Sequence, residues 1–128
     1  MASEFFSDIA STVLSKTMDT ASARQKAIAN NIANVETPGY KRSKVSFEDE
    51  LKSVLSRNAG HAVRDGLKRL SPVYEKDAES PVGVNGNNVN IDAEIADLAK
   101  TTLKHKAATV LLEGKIGMLR SAIMEGKR

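Results

Sequence analysis

The side chains most able to do chemistry in this sequence are two histidines, His61 and His105, which are 44 positions apart. Neither has neighbours at metal-ligand spacing, and no nucleophile is paired with a base. Cysteine is absent, which excludes disulfides, cysteine-bound zinc, iron–sulfur clusters and thiol catalysis. We therefore predict no catalytic residue, no metal ligand and no cofactor, and we treat a small hydrolase as a remote alternative.

An asparagine-rich segment, residues 29–40, is the most unusual part of the sequence. Asn30, Asn31 and Asn34 stand within five residues of a predicted helix, where asparagine is a poor choice by propensity. Their amides can bond across a helix interface or to the backbone that turns beyond Thr37. The alternative is a polar segment whose only role is to end the helix. Pro38 and Gly39 favour a turn there.

A second motif, residues 85–92, contains Gly86, Asn87, Asn88 and Val89. Asparagine and glycine tolerate left-handed backbone, so we predict a tight turn that leads into a helix. A calcium loop is a weak alternative, because the oxygen-bearing side chains lack EF-hand spacing and few of them are carboxylates.

These motifs must be positioned by two long helices with heptad patterns. The first is predicted from about Glu4 to Val35, and its apolar seam is Leu14, Met18, Ala21, Gln25, Ile28, Ile32 and Val35. The second is predicted from Ile91 onwards, with Asn90 or Asp92 as its cap. Its seam is Ile91, Ile95, Leu98, Thr102, His105, Thr109, Leu112, Ile116, Leu119 and Ile123.

We predict a mainly α fold in which the two terminal helices pair as a coiled-coil-like rod. Within the subunit, one seam is expected to pack on the other: Leu14, Met18, Ile28, Ile32 and Val35 on Ile95, Leu98, Leu112, Ile116, Leu119 and Ile123. Leu103, Val110 and Leu111 lie outside the seam. A helix that is apolar on more than one side needs more than one partner.

The middle of the chain has weaker patterns. Ser46 to Arg57 is predicted to be a short helix that begins with a capping box of Ser46 and Asp49. Residues 58–90 are rich in Gly, Pro and Asn and are predicted to be irregular, with a short extended piece from Pro72 to Lys76. The chain therefore divides into a first helix (1–36), a turn and loop region (37–90) and a second helix (91–128).

Composition narrows the possible classes of function. The chain has 128 residues and a net charge of +3, and its basic residues are spread along it, whereas nucleic-acid binders usually concentrate them. We therefore predict no nucleic-acid partner and no small-molecule substrate. The N-terminus is not typical of a cleaved signal peptide, and no stretch approaches the roughly 20 apolar residues of a membrane span.

The two motifs carry a resemblance to a known family. Residues 29–40, through Asn30, Asn31, Asn34 and Thr37-Pro38-Gly39-Tyr40, resemble the signature shared by bacterial flagellar rod and hook proteins. Residues 86–95 look like the approach to the C-terminal helix of those proteins. The short length and the ending Leu119–Ile123 are most similar to the proximal rod subunits. His105-Lys106 stands where that family leads us to expect an aromatic residue followed by Gln.

The resemblance implies a structural protein that is not an enzyme. Such subunits are exported unfolded through the flagellar type III apparatus without a cleaved signal peptide. They then assemble with copies of themselves, with other rod subunits and with the inner-membrane ring and export-gate base. The location implied is the basal-body rod in the periplasm. We further hypothesise that the asparagine motif locks the junction between rod and outer region. The residues alone also allow a cytoplasmic coiled-coil adaptor that binds a partner helix.

Overall fold

The fold is built on two long helices joined by a smaller helical and β region. The computed structural model describes residues 8–126, and all structural statements below concern that range. In chain order the elements are α1 (Ile9–Ala33), β1 (Ser43–Ser46), α2 (Glu48–Leu55), α3 (Gly60–Arg69), β2 (Val73–Lys76) and α4 (Ile91–Glu125). The predicted fold class, mainly α with two long helices packed together, is confirmed.

Helices α1 and α4 both begin at side-chain caps. The Oδ1 atom of Asp8 accepts a hydrogen bond from the Ser11 amide at 2.7 Å, and Asn90 Oδ1 accepts one from the Ala93 amide at 3.2 Å. These caps satisfy amides that the first turn of a helix leaves without partners. The predicted start of α1 near Glu4 lies outside the described residues.

Two polar contacts show that α1 and α4 run antiparallel. Near the beginning of α1, Asp8 forms an ion pair with Lys115 of α4. Near the end of α1, Asn31 bonds Glu94 in the first turn of α4. The Lys115 ammonium, followed by the Ser11 amide, lowers the pKa of Asp8 to about 2. Between these ends the helices meet through small buried residues, among them Ala21 and Ala108.

The structure corrects the predicted seam of α4. The buried residues are Glu94, Thr101 and Ala108, each one position before the predicted Ile95, Thr102 and Thr109. The side chains of Leu98, Leu112 and Leu119 are half-buried, as are those of Leu14, Met18, Ile32 and Val35 on the N-terminal side, whereas Ile28 is buried.

Three isoleucines predicted to pack on α1 are exposed instead. Ile95, Ile116 and Ile123 are exposed, Ile95 to 54% and Ile123 to 53%, so the prediction that they pack within the subunit is wrong. The reason is that Glu94 is held by polar partners on the inner side of α4. Small Thr101 and Ala108 follow it at seven-residue intervals and occupy the interface in place of the isoleucines.

The apolar core proper lies away from the long-helix interface. Helices α2 and α3 pack on the beginning of α1, where Ile9 and Val13 contact the cluster together with Leu51. The buried members of the cluster are Phe47, Val54, Val63, Leu67 and Leu70. A smaller cluster joins Ala23 and Ala27 of α1 to Val45 of β1.

The middle region is more ordered than predicted, because α3 occupies residues for which we expected a loop. Its buried positions, Val63, Gly66 and Leu67, have helical spacing, and buried Leu70 follows its last residue. Gly66 is a packing residue rather than a helix breaker. A Cβ added to Gly66 would lie 2.7 Å from Val54 Cγ1, so only glycine permits this approach of α3 to α2.

The capping box predicted for the short middle helix does not form. Ser46 ends strand β1, and its hydroxyl donates to Glu75 Oε1 at 2.9 Å. Helix α2 begins after Phe47, which makes no side-chain cap. The Phe47 ring is buried in the core directly before the first residue of this helix.

Strands β1 and β2 form an antiparallel pair that packs on α1. The register places Lys44 opposite Glu75 and Val45 opposite Tyr74. Strand β2 confirms the predicted extended piece, and all of its side chains are exposed. In the described range, no helix combines the length and the apolar character needed to cross a membrane.

Leu67 tests the importance of the α2–α3 core. It is completely buried, so Leu67→Ala should lower the free energy of unfolding by about 2–5 kcal/mol through lost burial and a cavity. Leu55→Ala is the control, since the Leu55 side chain is exposed at the end of α2. Urea unfolding followed by circular dichroism measures both variants. Equal losses would contradict the assigned core.

Candidate functional site

The two motifs predicted from the sequence meet in space, and we call the meeting place the motif junction: residues 30–43, 77 and 85–94. Each motif turns at a glycine with left-handed backbone, Gly39 at φ 73° and Gly86 at φ 77°. The Gly39 amide donates to Asn85 O at 2.9 Å, and Lys41 Nζ donates to Gly86 O at 2.6 Å. The turns are thus bonded directly to each other.

Asn87 closes the end of helix α1. Its Nδ2 donates to Asn34 O at 2.8 Å and to Thr37 O at 2.9 Å, while its Oδ1 accepts from the Val89 amide at 2.8 Å. The last carbonyls of a helix have no partner within the helix. Asn87 supplies partners to this end of α1 from a segment about 50 residues further along the chain.

Asn88 joins two further parts of the middle region. Its Oδ1 accepts from the Arg42 amide at 2.6 Å, and its Nδ2 donates to Asp77 O at 2.7 Å. The Asp77 amide in turn donates to Arg42 O at 2.9 Å. Asn88 therefore holds the two chain segments that flank the β1–β2 pair.

Asn31 is the centre of the junction and is fully buried. Its Nδ2 donates to Ser43 O at 2.8 Å and to Glu94 Oε2 at 3.1 Å. Its Oδ1 accepts from the Ser43 amide at 2.8 Å and from Tyr40 Oη at 3.1 Å. Both amide hydrogens and both oxygen lone pairs are used, so the side chain is saturated.

Glu94 is a fully buried carboxylate whose charge is balanced by Arg42. Arg42 Nε donates to Glu94 Oε1 at 2.7 Å, and Arg42 Nη1 donates to Asp77 Oδ2 at 2.9 Å. Arg42 Nη2 lies 3.6 Å from Asp97 Oδ2. Glutamate is almost never fully buried without such pairing. The guanidinium thus connects the β1–β2 segment to the first turns of α4.

Hydrogen bonds shift the pKa values of both Arg42 and Asp77 in favour of their charged forms. Burial by itself would lower the pKa of Arg42, but hydrogen bonds to Asp77 and Glu94 outweigh it and raise that pKa. The Ser80 hydroxyl, which donates to Asp77 Oδ2 at 2.6 Å, and then the Arg42 guanidinium hold the pKa of Asp77 well below its usual value.

The chemistry of the motif junction is that of a rigid joint. Within residues 8–126, every buried side-chain nitrogen or oxygen has a hydrogen-bond partner. The same residues contain no group of histidine and acidic side chains arranged to hold a metal ion. Glu94, which follows the second motif, has both carboxylate oxygens engaged by Arg42 and Asn31.

The structure does not bring all the predicted motif residues into the joint. The Asn30 and Pro38 side chains are exposed. The carbonyl of Asn30 accepts from Asn34 Nδ2 at 2.8 Å, and Asn34 Oδ1 accepts from the Thr37 hydroxyl at 3.2 Å. Asn30 and Asn34 therefore finish the helix locally, and Asn31 makes the long-range contacts.

Sequence reasoning missed three charged residues that the joint requires, namely Arg42, Asp77 and Glu94. Arg42 and Asp77 lie outside both motifs, and nothing in their local sequence marks them. Glu94 had a usable signal, since it precedes Thr101 and Ala108 at seven-residue spacing and so shares their side of the helix.

Known proteins match this chain over the first motif and over most of its length. The family model described as "Flagella basal body rod protein" matches residues 12–41. The chain is similar to the flagellar basal body rod protein FlgB of Bacillus subtilis (strain 168), with 32% identity over 89% of this chain and 92% of that protein. It shares 35% identity with FlgB of Borreliella burgdorferi, covering 72% and 78% of the two chains, and 28% with FlgB of Escherichia coli (strain K12), covering 80% and 84%.

Asn31 and Asn30 provide a matched test of the joint. Asn31→Ala should lower the free energy of unfolding by about 3 kcal/mol or more, because several buried groups lose a partner and each costs roughly 1–3 kcal/mol. Asn30→Ala should change the free energy by no more than about 0.5 kcal/mol, as expected for an exposed side chain. Urea unfolding compares them, and similar losses in the two variants would refute the central role of Asn31.

Acid should weaken the joint through Asp77. Because its pKa is lower in the folded chain, the stability that Asp77 contributes is present above the ordinary value of 3.8 and is lost as the pH falls below it. Asp77→Asn should therefore destabilise the protein more at about pH 6 than at about pH 2.5. The measurement is urea unfolding at both pH values, and a difference between the two proteins that does not depend on pH would argue against this assignment.

Proposed function

The chain belongs to the FlgB family of flagellar basal-body rod proteins, and from this premise we propose that it assembles through the outward side of α4. It is a structural subunit of the proximal rod, and it assembles with other rod components. What remains to be assigned is the surface that makes those contacts. A chain whose two long helices pair only through one side of each has other sides available for neighbours.

The observation that carries the proposal is an exposed heptad stripe on α4. We call it the outer stripe, and its members follow one another at intervals of four and three residues: Leu103, Ala107, Val110, Gly114, Gly117, Ser121 and Met124. Leu103 is 68% exposed and Val110 is 62% exposed. Helical geometry places this stripe roughly opposite Thr101 and Ala108, which pack on α1.

Two glycines within the outer stripe support the proposal. Among residues 8–126, a Cβ added at Gly114 or Gly117 would meet nothing within 4 Å, so nothing in that part of the subunit requires glycine there. A glycine inside a helix nevertheless costs roughly 0.5–1 kcal/mol relative to alanine. Leu103, Val110 and Met124 can act as knobs, and the small residues beside them leave shallow holes. A neighbouring helix can therefore pack closely on this stripe.

We propose as partners further copies of this chain, other rod subunits, and the inner-membrane ring with the export-gate base. The proposed route is the flagellar type III export apparatus, and the proposed location is the part of the rod that lies in the periplasm next to the inner membrane. Family membership supports these assignments. We propose no enzymatic role, because the buried polar side chains described above are engaged in holding the fold.

The helix-packing and motif residues keep separate roles in this proposal. Ile95, Ile116 and Ile123 are exposed beside the buried side of α4 and are proposed to contact neighbouring subunits. The motif junction is proposed to fix the angle at which the middle region leaves the rod. The alternative of a cytoplasmic adaptor is not favoured, since the chain aligns over 92% of a rod protein.

Val110→Asp tests the outer stripe. Since Val110 is exposed, the isolated chain should unfold within about 1 kcal/mol of the wild type, the difference reflecting mainly helix propensity. Incorporation into basal bodies and swimming should be lost, because a carboxylate would be buried against an apolar neighbour. Val82→Asp, at a similarly exposed valine outside the stripe, is the control and should swim. Wild-type rods built with Val110→Asp would refute the proposed surface.

A further inference from the structure

A groove at the junction of α1, β1 and α4 is a second feature that the fold leaves open. Its volume is about 260 Å³, and its floor is formed by Ala27, Ile28 and Val45, which are all buried. Small-molecule pockets usually measure roughly 300–1,000 Å³, so the groove is undersized for a cofactor. A volume of this kind suits one or a few side chains of another protein.

The rim of the groove carries more positive than negative side chains. Arg24, Arg42, Lys44, Lys100 and Lys104 line it, with Glu48 and Asp97 as the acidic members. The two arginines are already engaged. Arg24 forms a bidentate pair with Glu48, in which Nη1 lies 2.6 Å from Oε1, and this guanidinium lowers the pKa of Glu48. Arg42 is held by Asp77 and Glu94.

The lysines are left without comparable partners. Within the described residues, Lys44 and Lys100 make no ion pair, and Lys104 Nζ reaches Glu48 Oε1 only at 3.9 Å. Lys100 and Lys104 are also four residues apart on one helix, where like charges repel and destabilise the helix. A partner carboxylate beside Lys100 would relieve this repulsion, and Lys44 on the same rim adds to the positive charge that attracts it.

The surface that continues from the groove is apolar. On the same side of α4, Lys100 and Lys104 are followed at helical spacing by Ala107, Leu111, Gly114 and Met118. Leu111 and Met118 are exposed. A segment lying along this side would therefore meet positive charge first and apolar side chains afterwards.

We propose that the groove receives the acidic end of an amphipathic helix from a neighbouring rod component. One or two carboxylates of that helix lie between Lys44 and Lys100 above the apolar floor, and its apolar side extends along Leu111 and Met118. The apolar strip alone would let the partner helix slide along α4. The lysines fix its position, because its acidic end must lie beside them. The inference rests on the proposed assembly of this chain into the rod.

The first experiment uses basal bodies purified with the wild-type chain. A carbodiimide joins a carboxylate to an amine only when the two are in contact, and peptide mass spectrometry identifies the linked residues. We expect links from Lys44 or Lys100 to an Asp or Glu of another subunit, and protection of both lysines from acetylation relative to exposed Lys68. If the chain is in the rods but both lysines acetylate as readily as Lys68 and form no links, the groove proposal is overturned and the proposed function stands. Absence of the chain from the rods would overturn both.

The second experiment changes the groove without disturbing the fold. In the double variant Lys44→Gln and Lys100→Glu, the new glutamate lies four residues before Lys104, an order that favours the helix. The choice of Gln at position 44 avoids two acids facing each other, because Lys44 lies opposite Glu75 in the strand pair.

The control makes the same two substitutions on an exposed surface, Lys52→Gln and Lys68→Glu. We expect the groove variant to enter basal bodies at least about tenfold less than the control, because repulsive charge across an interface strongly disfavours association. Both variants should retain wild-type circular dichroism and thermal unfolding. Equal incorporation of the two variants would refute the proposal, and incorporation lost only in the control would place the acidic contact on the α2–α3 surface instead.

Discussion

The buried contact among Asn31, Glu94 and Arg42 is the constraint on which the rest of the structure depends. A carboxylate removed from water is strongly unfavourable unless a cation and hydrogen-bond donors surround it. Arg42 Nε and Asn31 Nδ2 satisfy Glu94 at 2.7 and 3.1 Å. Since these three residues come from α4, the β1 approach and α1, the contact forms only when all three segments are in place. It therefore couples the two long helices to the middle region.

This constraint decides which side of α4 faces inwards. With Glu94 directed towards α1, the positions seven and fourteen residues later, Thr101 and Ala108, also face α1. Their small side chains allow close approach of the two helices but bury little apolar surface. The larger apolar residues are consequently directed outwards, where Leu103 and Val110 lie exposed. A subunit built in this way leaves much of its apolar surface exposed, and we propose that this surface contacts neighbouring rod subunits.

The polar joint fixes the geometry of the single subunit, and the apolar outer surface is the part proposed to contact neighbours. The joint is saturated with hydrogen bonds, so its geometry is specified in the single subunit. The geometry of contacts at the outer stripe is not fixed in this way, because apolar contacts are non-directional and tolerate several registers. Charged positions such as Lys44 and Lys100 beside the apolar surface can supply the missing register. A rigid joint with adaptable outer surfaces allows identical subunits to meet slightly different neighbours.

The sequence alone predicts the two long helices, the end of the first, the start of the second and the turns in the two asparagine motifs, because these depend on local periodicity, caps and turn residues. It did not predict helix α3 at residues 60–69, because a glycine such as Gly66 is typical of a loop. The packing role of Gly66 depends on the approach of α2. Nor did it predict that α4 turns Ile95 outwards and Glu94 inwards. That choice depends on Arg42, which is distant in the chain and unremarkable in local sequence. The orientation of α4 therefore follows from long-range contacts, because the free energy of burying a charge depends on partners that folding brings together.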